Sequence, residues 1–203
     1  MLKINEVFWS AQGEGLLSGT SSIFIRLAGC SLRCPYCDSR RAWKRGSSLE
    51  TDEIVTEVIA LKAVRPHVWV VITGGEPLEQ NLKELVAALH RLRCRVALET
   101  NGLHFQDLHF NWWTVSPKDV SGYCVHPKLW AKADEIKLVV RPSLDLEVVK
   151  KVRSCTEAPI FLQPERRDRR RYPRTFAFYK ACCAAGIPDV RLGLQMHTIY
   201  RIR

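Results

Sequence analysis

One short apolar run after another is followed directly by a polar or glycine-bearing motif, and that phase limits the fold more than any other feature. The runs are Ser22–Leu27, Val68–Ile72, Arg95–Leu98, Trp112–Val115, Glu135–Val140, Pro159–Leu162 and Val190–Leu194. Behind six of them stand CSLRCPYCD, TGGEP, ETNG, SPK, QPE and QMH. Val68–Ile72 is continuously apolar, as a strand buried on both faces of a parallel sheet must be. Helical spacing fills several of the intervals. Thr51 reads as an N-cap with Asp52 and Glu53 in the first turn, and Ile54, Val55, Val58, Ile59 and Leu61 make an apolar face. Leu82, Leu85, Val86, Leu89 and Leu92 make a second face, and further helices are expected near Pro127–Ala133, Leu144–Val152 and Thr175–Ala185. The interval 103–111 is too short for a helix. Strands and helices that alternate about seven times predict a parallel α/β sheet, which right-handed crossovers curl toward a barrel. The 203 residues fall short of the roughly 250 of a full eight-unit barrel. The expectation is a partial (β/α)6 barrel in a single domain, 1–203, without repeats or linkers.

In such sheets the ligand site lies at the carboxyl ends of the strands, so the six motifs should meet at one mouth. The segment Gly29-Cys30-Ser31-Leu32-Arg33-Cys34-Pro35-Tyr36-Cys37-Asp38 carries the most specific chemistry, with spacing C-x3-C-x2-C. Thiolates are soft ligands that suit zinc or iron–sulfur clusters. Structural zinc takes four ligands, commonly as two separated pairs, and no second Cys/His pair of that kind follows. A cubane held by three cysteines keeps one iron open for an outside ligand, which is a catalytic arrangement. For the loop taken alone, a metal-free cysteine-rich turn or a zinc site stays open. Elsewhere, Gly74 and Gly75 permit close backbone approach to a ligand. Lys118, behind a rigid Ser116-Pro117, is a candidate to reach a ribose or carboxylate. Thr100 and Asn101 offer short polar contacts, Gln163 and Glu165 are candidates for a ribose, and Ala11-Gln12-Gly13-Glu14-Gly15 is polar enough to line a pocket.

With Tyr36 just before its last cysteine, the loop resembles the cluster loop of the radical S-adenosylmethionine superfamily. The AQGEG segment, Arg26, CDS after the loop, ITGGEP, ETNG, SPK and LQMH are together similar to the 7-carboxy-7-deazaguanine synthases within it. This resemblance runs from about Asn5 to His197 and is strongest in the N-terminal half. It implies a [4Fe–4S] cluster on Cys30, Cys34 and Cys37. It implies S-adenosylmethionine contacted by Tyr36, Gly75, Glu76, Thr100, Ser116, Pro117, Lys118 and Gln163, and magnesium on Ser39. The implied reaction contracts 6-carboxy-5,6,7,8-tetrahydropterin to 7-carboxy-7-deazaguanine with loss of ammonia, on the way to 7-deazapurines such as queuosine. The implied substrate pocket is Ala11, Gln12, Gly13, Glu14, Arg26, Thr73, His197 and Arg203. In it Gln12 pairs with the pyrimidinone edge, Glu14 accepts from a ring N–H and Arg26 meets the carboxylate or a ring carbonyl, while His197 closes the far side. Two features depart from the family. Its chains commonly end in a proline whose carboxylate helps bind the pterin, whereas this one ends Tyr200-Arg201-Ile202-Arg203, and the run Arg166–Arg174 holds six arginines.

Charge decides among the remaining classes. With 31 Lys+Arg against 21 Asp+Glu the formal net charge is +10, which attracts anions and brings nucleic acid into consideration. A non-catalytic, zinc-stabilised nucleic-acid binder using the arginine run would interleave aromatic residues with its basic ones, and the run contains only Tyr172, so no nucleic-acid partner is expected. A radical-generating activase of a partner protein is the other enzymatic reading. The AQGEG segment and Arg26 argue against it, since an activase needs an open face. No run approaches the roughly 20 apolar residues of a membrane span, and the N-terminus carries no export pattern. Eight cysteines then read as reduced thiols in the cytoplasm. The five outside the loop, Cys94, Cys124, Cys155, Cys182 and Cys183, are expected to be small buried hydrophobes. Expected partners are the small-molecule substrate, an electron donor such as flavodoxin or ferredoxin, and a second copy in a homodimer.

Overall fold

The computed structural model describes residues 1–65, 67–165 and 170–202. Among these residues nine strands form one sheet: β1 (Leu2–Ala11), β2 (Ser21–Leu27), β3 (Ser47–Leu49), β4 (Trp69–Gly74), β5 (Arg95–Thr100), β6 (Trp112–Val115), β7 (Glu135–Val140), β8 (Ile160–Pro164) and β9 (Val190–Leu192). The spatial order is β3-β1-β2-β4-β5-β6-β7-β8-β9. From β2 to β9 every pairing is parallel. Six crossovers join those strands, and the sheet does not close, so the expected partial barrel is what the chain adopts. Helices α1 (Thr51–Ala63), α2 (Lys83–Arg91), α3 (Pro127–Trp130), α4 (Leu146–Cys155) and α5 (Arg171–Ala184) lie in the crossovers, and α6 (Met196–Ile199) follows β9. The β5–β6 crossover has no helix, as the short interval requires.

Alternation along each strand separates two cores. Ile23, Ile25 and Leu27 of β2, Val70 and Ile72 of β4, and Val96 and Leu98 of β5 face the helices and pack on Ile54, Val58, Leu85 and Leu89. The opposite face of the same strands presents Phe24, Val71 and Ala97, which pack with Phe8 of β1 as a small inner cluster. Phe8 and Phe24 stack at 5.1 Å. Above this cluster the inward positions turn polar: Arg26, Thr73 and Glu99 follow two residues later on β2, β4 and β5, and Lys137 of β7 meets Glu99. The apolar layer is therefore the floor on which a polar cavity stands.

Several elements differ from expectation. The first eleven residues contain β1, a ten-residue strand antiparallel to β2, which the glycine-rich motif at its end obscures. Its inward and outward positions are both mixed in polarity, so period-2 alternation is weak. Glu50, not Thr51, caps α1, through a reciprocal box in which the Glu50 N–H donates to Glu53 Oε2 at 2.7 Å. Helix α5 starts at Arg171, inside the arginine run, of which Arg166, Arg167 and Arg169 lie outside the described residues. The last strand ends at Leu192. Of the five cysteines expected to be buried, Cys94 and Cys182 are, while Cys124, Cys155 and Cys183 are exposed.

Candidate active site

A cavity of about 1060 Å³ lies at the carboxyl ends of the parallel strands, and residues from every one of those strand ends except β9's own line it. The cysteine loop forms one wall. Because β2 ends at Leu27 and the backbone turns at Gly29, the loop hangs beside the end of β4. Gly75 N–H donates to Leu27 O at 2.9 Å and Glu76 N–H to Gly29 O at 2.7 Å. A Cβ on Gly75 would collide with the Gly29 carbonyl, so only glycine allows this approach. Cys30, Cys34 and Cys37 all line the cavity. Burial pushes the Cys34 and Cys37 thiols above their ordinary value, and Asp38 adds to this at Cys37. Thiols held neutral this way are poor nucleophiles, but a bound metal deprotonates its thiol ligands outright.

A buried charge cluster forms the base. Lys137, 5% exposed, contacts Glu14 Oε2 at 3.0 Å and Glu99 Oε1 at 3.1 Å. Burial alone would lower the lysine's affinity for its proton, but the attraction of Glu99, Glu14 and Glu135 outweighs it and the pKa is raised. Burial likewise opposes ionisation of Glu99, and Lys137 with the Thr73 and Gln12 side chains overcomes it, leaving Glu99 below the usual carboxylate range. Thr73 Oγ1 donates to Glu99 Oε2 at 2.9 Å, and Gln12 Nε2 donates to Glu99 Oε1 at 3.1 Å. Glu135 accepts from the Leu16 N–H at 2.6 Å and from Thr114 Oγ1 at 2.8 Å, and burial pushes its pKa up. Gly15, at φ +69°, passes so close to Glu135 that a side chain there would meet its carboxylate. These contacts bind the segment 12–16 onto the cavity base.

Nearly all the residues singled out from the sequence line this cavity. Ala11, Gln12, Gly13, Glu14, Arg26, Thr73 and His197 do, as do Ser39, Tyr36, Gly75, Thr100, Ser116, Lys118 and Gln163. Gln12 is more committed than expected: besides donating to Glu99, its Oε1 accepts from the Gly13 and Glu14 N–H groups. Glu76 and Pro117 do not line the cavity. Glu76, 1% exposed, accepts from Leu78 N–H, Thr100 Oγ1 and Asn101 N–H at 3.0, 2.6 and 2.7 Å, and so ties the ends of β4 and β5 together. Arg203 lies outside the described residues. The sequence reading passed over Glu99, Lys137 and Gln195. The available signal was a charge at the inward period of an otherwise apolar strand, as in Glu135-Ile136-Lys137-Leu138.

The donor sets fit the groups that the cysteine spacing calls for. Three thiols facing one space suit an iron–sulfur cluster with an open iron. Among the described residues, neither amide atom of Gln163, 2% exposed, is hydrogen-bonded, and Asn101 Nδ2 has no partner; both residues line the cavity and would be satisfied by a polar ligand. A hard cation has oxygen donors at hand. Ser39 Oγ donates to Asp38 Oδ1 at 3.0 Å, and Glu14, Asp38 and His197 bring ligand atoms within 4.8 Å of one another. Arg26 Nη1 donates to Ser39 Oγ at 2.9 Å and would have to yield to a cation there.

Comparisons with known proteins agree with this geometry. The model of the Radical SAM superfamily matches residues 24–200. The 7-carboxy-7-deazaguanine synthase of Bacteroides thetaiotaomicron is 34% identical over 203 residues, 100% of both chains. That of Aquifex aeolicus is 39% identical over 178 residues, 81% of this chain and 78% of that one. The crystal structure of QueE from Escherichia coli superposes with a TM-score of 0.75 at 29% identity, covering 97% of this chain and 94% of that one. Streptococcus suis SuiB bound to S-adenosylmethionine, at a TM-score of 0.54 and 15% identity over 80% of this chain and 47% of that one, shares the fold.

Proposed function

Since the chain belongs to the radical S-adenosylmethionine superfamily and, within it, to the 7-carboxy-7-deazaguanine synthases, we propose that it converts 6-carboxy-5,6,7,8-tetrahydropterin to 7-carboxy-7-deazaguanine and ammonia. The observation that carries this reading is one cavity lined both by three cysteines and by a base of ordered polar side chains, Gln12, Glu14, Arg26, Glu99 and Lys137. A flat heterocycle with alternating donors and acceptors needs such a base. The reaction rearranges the ring and releases ammonia, so substrate and products balance without an external oxidant.

Cys30, Cys34 and Cys37 would hold the [4Fe–4S] cluster, and Gly75, Thr100, Ser116, Lys118 and Gln163, which line the same cavity, would receive S-adenosylmethionine. When bound, the two would supply radical hydrogen abstraction, which we place at C6, the carbon bearing the carboxylate. The chain's own residues orient and shield. Glu99, held ionised by Lys137, and Glu14 beside it accept from ring N–H groups. Arg26 meets the substrate carboxylate, and His197 closes the cavity beside Glu14 and Asp38. Ser39, with Asp38 beside it, would hold a magnesium ion that fixes the same carboxylate. Hydrogen-bonded recognition of this kind rejects analogues that leave buried groups unpaired, by roughly 10⁴-fold in favourable cases.

An acidic electron carrier, flavodoxin or ferredoxin, is the proposed reductant. Arg33, Arg40, Arg41, Lys44 and Arg45 stand exposed in and after the cluster loop and would steer it. Exposed Leu192 and Leu194 at the open edge strand β9 support a homodimer. Eight free cysteines support a reducing, cytoplasmic setting. Among the described residues no helix is long and apolar enough to cross a membrane. The test is anaerobic turnover of substrate deuterated at C6. Label in 5′-deoxyadenosine or in recovered S-adenosylmethionine is expected. No turnover of this substrate by protein that still cleaves S-adenosylmethionine would overturn the pterin assignment and leave the radical one intact. Turnover without label transfer would overturn abstraction at C6, and unchanged turnover in Gln12→Ala and Arg26→Ala would overturn the pocket roles of those two residues.

A further inference from the structure

In the Cys34–Cys37 half of the cysteine loop, the Tyr36 side chain is fixed by charged groups from the segments after Lys118 and after β7. Its hydroxyl donates to Asp119 Oδ1 at 2.6 Å. The Arg141 guanidinium lies 4.1 Å from the centre of its ring. Asp119 and Arg141 are joined to each other, Arg141 Nε donating to Asp119 Oδ2 at 2.9 Å, and Ser143 Oγ donates to the same oxygen at 2.8 Å. Arg141 Nη1 then contacts Glu165 at 2.9 Å. Tyr36 lines the cavity, but Asp119 and Arg141 do not. They come from the segments just after Lys118 and just after β7, so they hold the ring from behind.

The loop has little else to hold its second half. Ser31 is tied to Glu79 before Cys34, and Ser39 to Arg26 after Cys37. Between these points, among the described residues, the Cys37 N–H to Cys34 O turn is the only backbone–backbone hydrogen bond outside regular elements, and the Cys37 thiol meets the Ser39 backbone and Trp43. Pro35 contributes its carbonyl to Arg40, a residue of the same segment. The direction in which Cys34 and Cys37 point thus depends on where the intervening ring is pinned.

We infer that Asp119 and Arg141 are positioning residues, which clamp the Tyr36 ring and thereby keep the Cys34–Cys37 half of the loop aimed at the cluster. The inference rests on the superfamily assignment and not on the pterin. A three-cysteine site has no spare ligand, so a loosened loop should shed iron. The clamp also spans the ends of β6, β7 and β8, where the nucleoside end of S-adenosylmethionine is proposed to lie. Loosening it should therefore alter how the cluster responds to that cofactor.

The test uses reconstituted protein under anaerobic conditions, with no pterin present. Iron release to an excess of ferrous chelator is timed for the wild type, Tyr36→Phe, Asp119→Ala, their double variant and Arg141→Gln. The electron paramagnetic resonance spectrum of the reduced cluster is recorded before and after S-adenosylmethionine is added. Each single change should speed iron release about tenfold, the factor one charge-assisted hydrogen bond supports. The double variant should be no faster than the faster single one, because both remove the same contact. Asp119→Asn, which still accepts from the Tyr36 hydroxyl, should recover part of the loss. Arg141→Lys, which keeps the charge and loses the planar stack, should recover little. The spectral change on adding S-adenosylmethionine should be broadened in every clamp variant. Wild-type iron release in both Tyr36→Phe and Asp119→Ala would overturn the clamp, as would effects that multiply to about 100-fold in the double variant. Tyr36→Phe keeps the ring and its packing, so it remains informative if Asp119→Ala folds poorly. A wild-type protein that takes up no iron would refute the cluster and the clamp together, whereas failure of pterin turnover would leave the clamp result unaffected.

Discussion

Replacing Lys137 by methionine should unmask the charge cluster under the cavity. The substitution keeps most of the side-chain volume and removes the ammonium, leaving Glu99 and Glu14 without their shared cation. Breaking a buried ion pair from one side costs about 3–5 kcal/mol. The Glu99 side chain is 23% accessible, through the cavity, so the lower end of about 3 kcal/mol applies here. In a domain of this size each kcal/mol moves Tm by about 2–4 °C, giving a drop of roughly 6–12 °C. The pH dependence gives a sharper signature. In the wild type the Glu99 pKa is lowered, so its contribution is present above its unfolded value of about 4.3 and is lost as pH falls through the folded value. The Lys137 pKa is raised, so its contribution is present below about 10.4 and is lost only as pH rises through the folded value. Their joint contribution is therefore level from about pH 5 to pH 10. Without the lysine, burial dominates at Glu99 and its folded pKa moves above the unfolded one. The variant then gains stability on acidification while other groups cancel in the difference. Thermal unfolding followed by circular dichroism at pH 8 and pH 5 should show a gap between wild type and variant that narrows toward pH 5. The double variant Glu99→Gln/Lys137→Met should be less destabilised than Lys137→Met alone. A gap of under about 1 kcal/mol at pH 8, or one equally wide at both pH values, would refute the reasoning.

Other expectations are simpler. Cys34→Ala should lose most of its iron and all reductive cleavage of S-adenosylmethionine, while alanine at Cys94, Cys124, Cys155, Cys182 or Cys183 leaves the cluster intact; iron analysis and 5′-deoxyadenosine formation check both halves. Gly75→Ala should force the end of β4 away from Gly29 and depress cofactor binding, read as a raised KM for S-adenosylmethionine in uncoupled cleavage. Ser39→Ala should depress turnover more than cofactor binding, and a chelator that spares the cluster should mimic it; metal-independent turnover would count against the magnesium role. Ile72→Ala, at a fully buried outer-core position, should cost about 2–5 kcal/mol by denaturant unfolding without touching the cavity.

Much of this architecture is legible because it rests on local signals. Val70 and Ile72 are fully buried where the continuous apolar run of β4 demands it, and the TGGEP, ETNG and SPK segments end their strands where the cavity opens. What escapes the sequence depends on partners far away. β1 is obscured because its strand character comes from pairing with β2 and β3 at the sheet edge, not from its own alternation. Glu76 belongs to a ligand-binding motif by sequence, yet its carboxylate is spent on backbone and hydroxyl groups, since a fully buried acid must be hydrogen-bonded. Glu99 and Lys137 acquire meaning only once two strands separated by β6 bring them together. Three exposed cysteines show that residue type alone does not fix burial when a position falls on the outer side of a helix or in a loop.

One side of the cavity is made by segments from opposite ends of the sequence. Gln195 Nε2 donates to Glu14 Oε1 at 3.1 Å across 181 residues, Ser18 contacts Met196 across 178, and the Met196 N–H donates to Gly13 O at 2.9 Å. Strand pairing contributes nothing to this seam, which is held by a handful of polar contacts. During synthesis the cysteine loop can find β4 long before residue 195 exists, so the metal centre has its walls while the substrate side is still missing. Contacts of such long sequence separation are the last to repay their closure entropy, and a seam with few buried apolar contacts is among the first to open in the finished molecule. Amide exchange should accordingly be fastest at residues 12–18 and 195–199 and slowest in β4 and β5. The wall of the cavity with the least to close it is therefore the one where residues 12–18 meet residues 195–199.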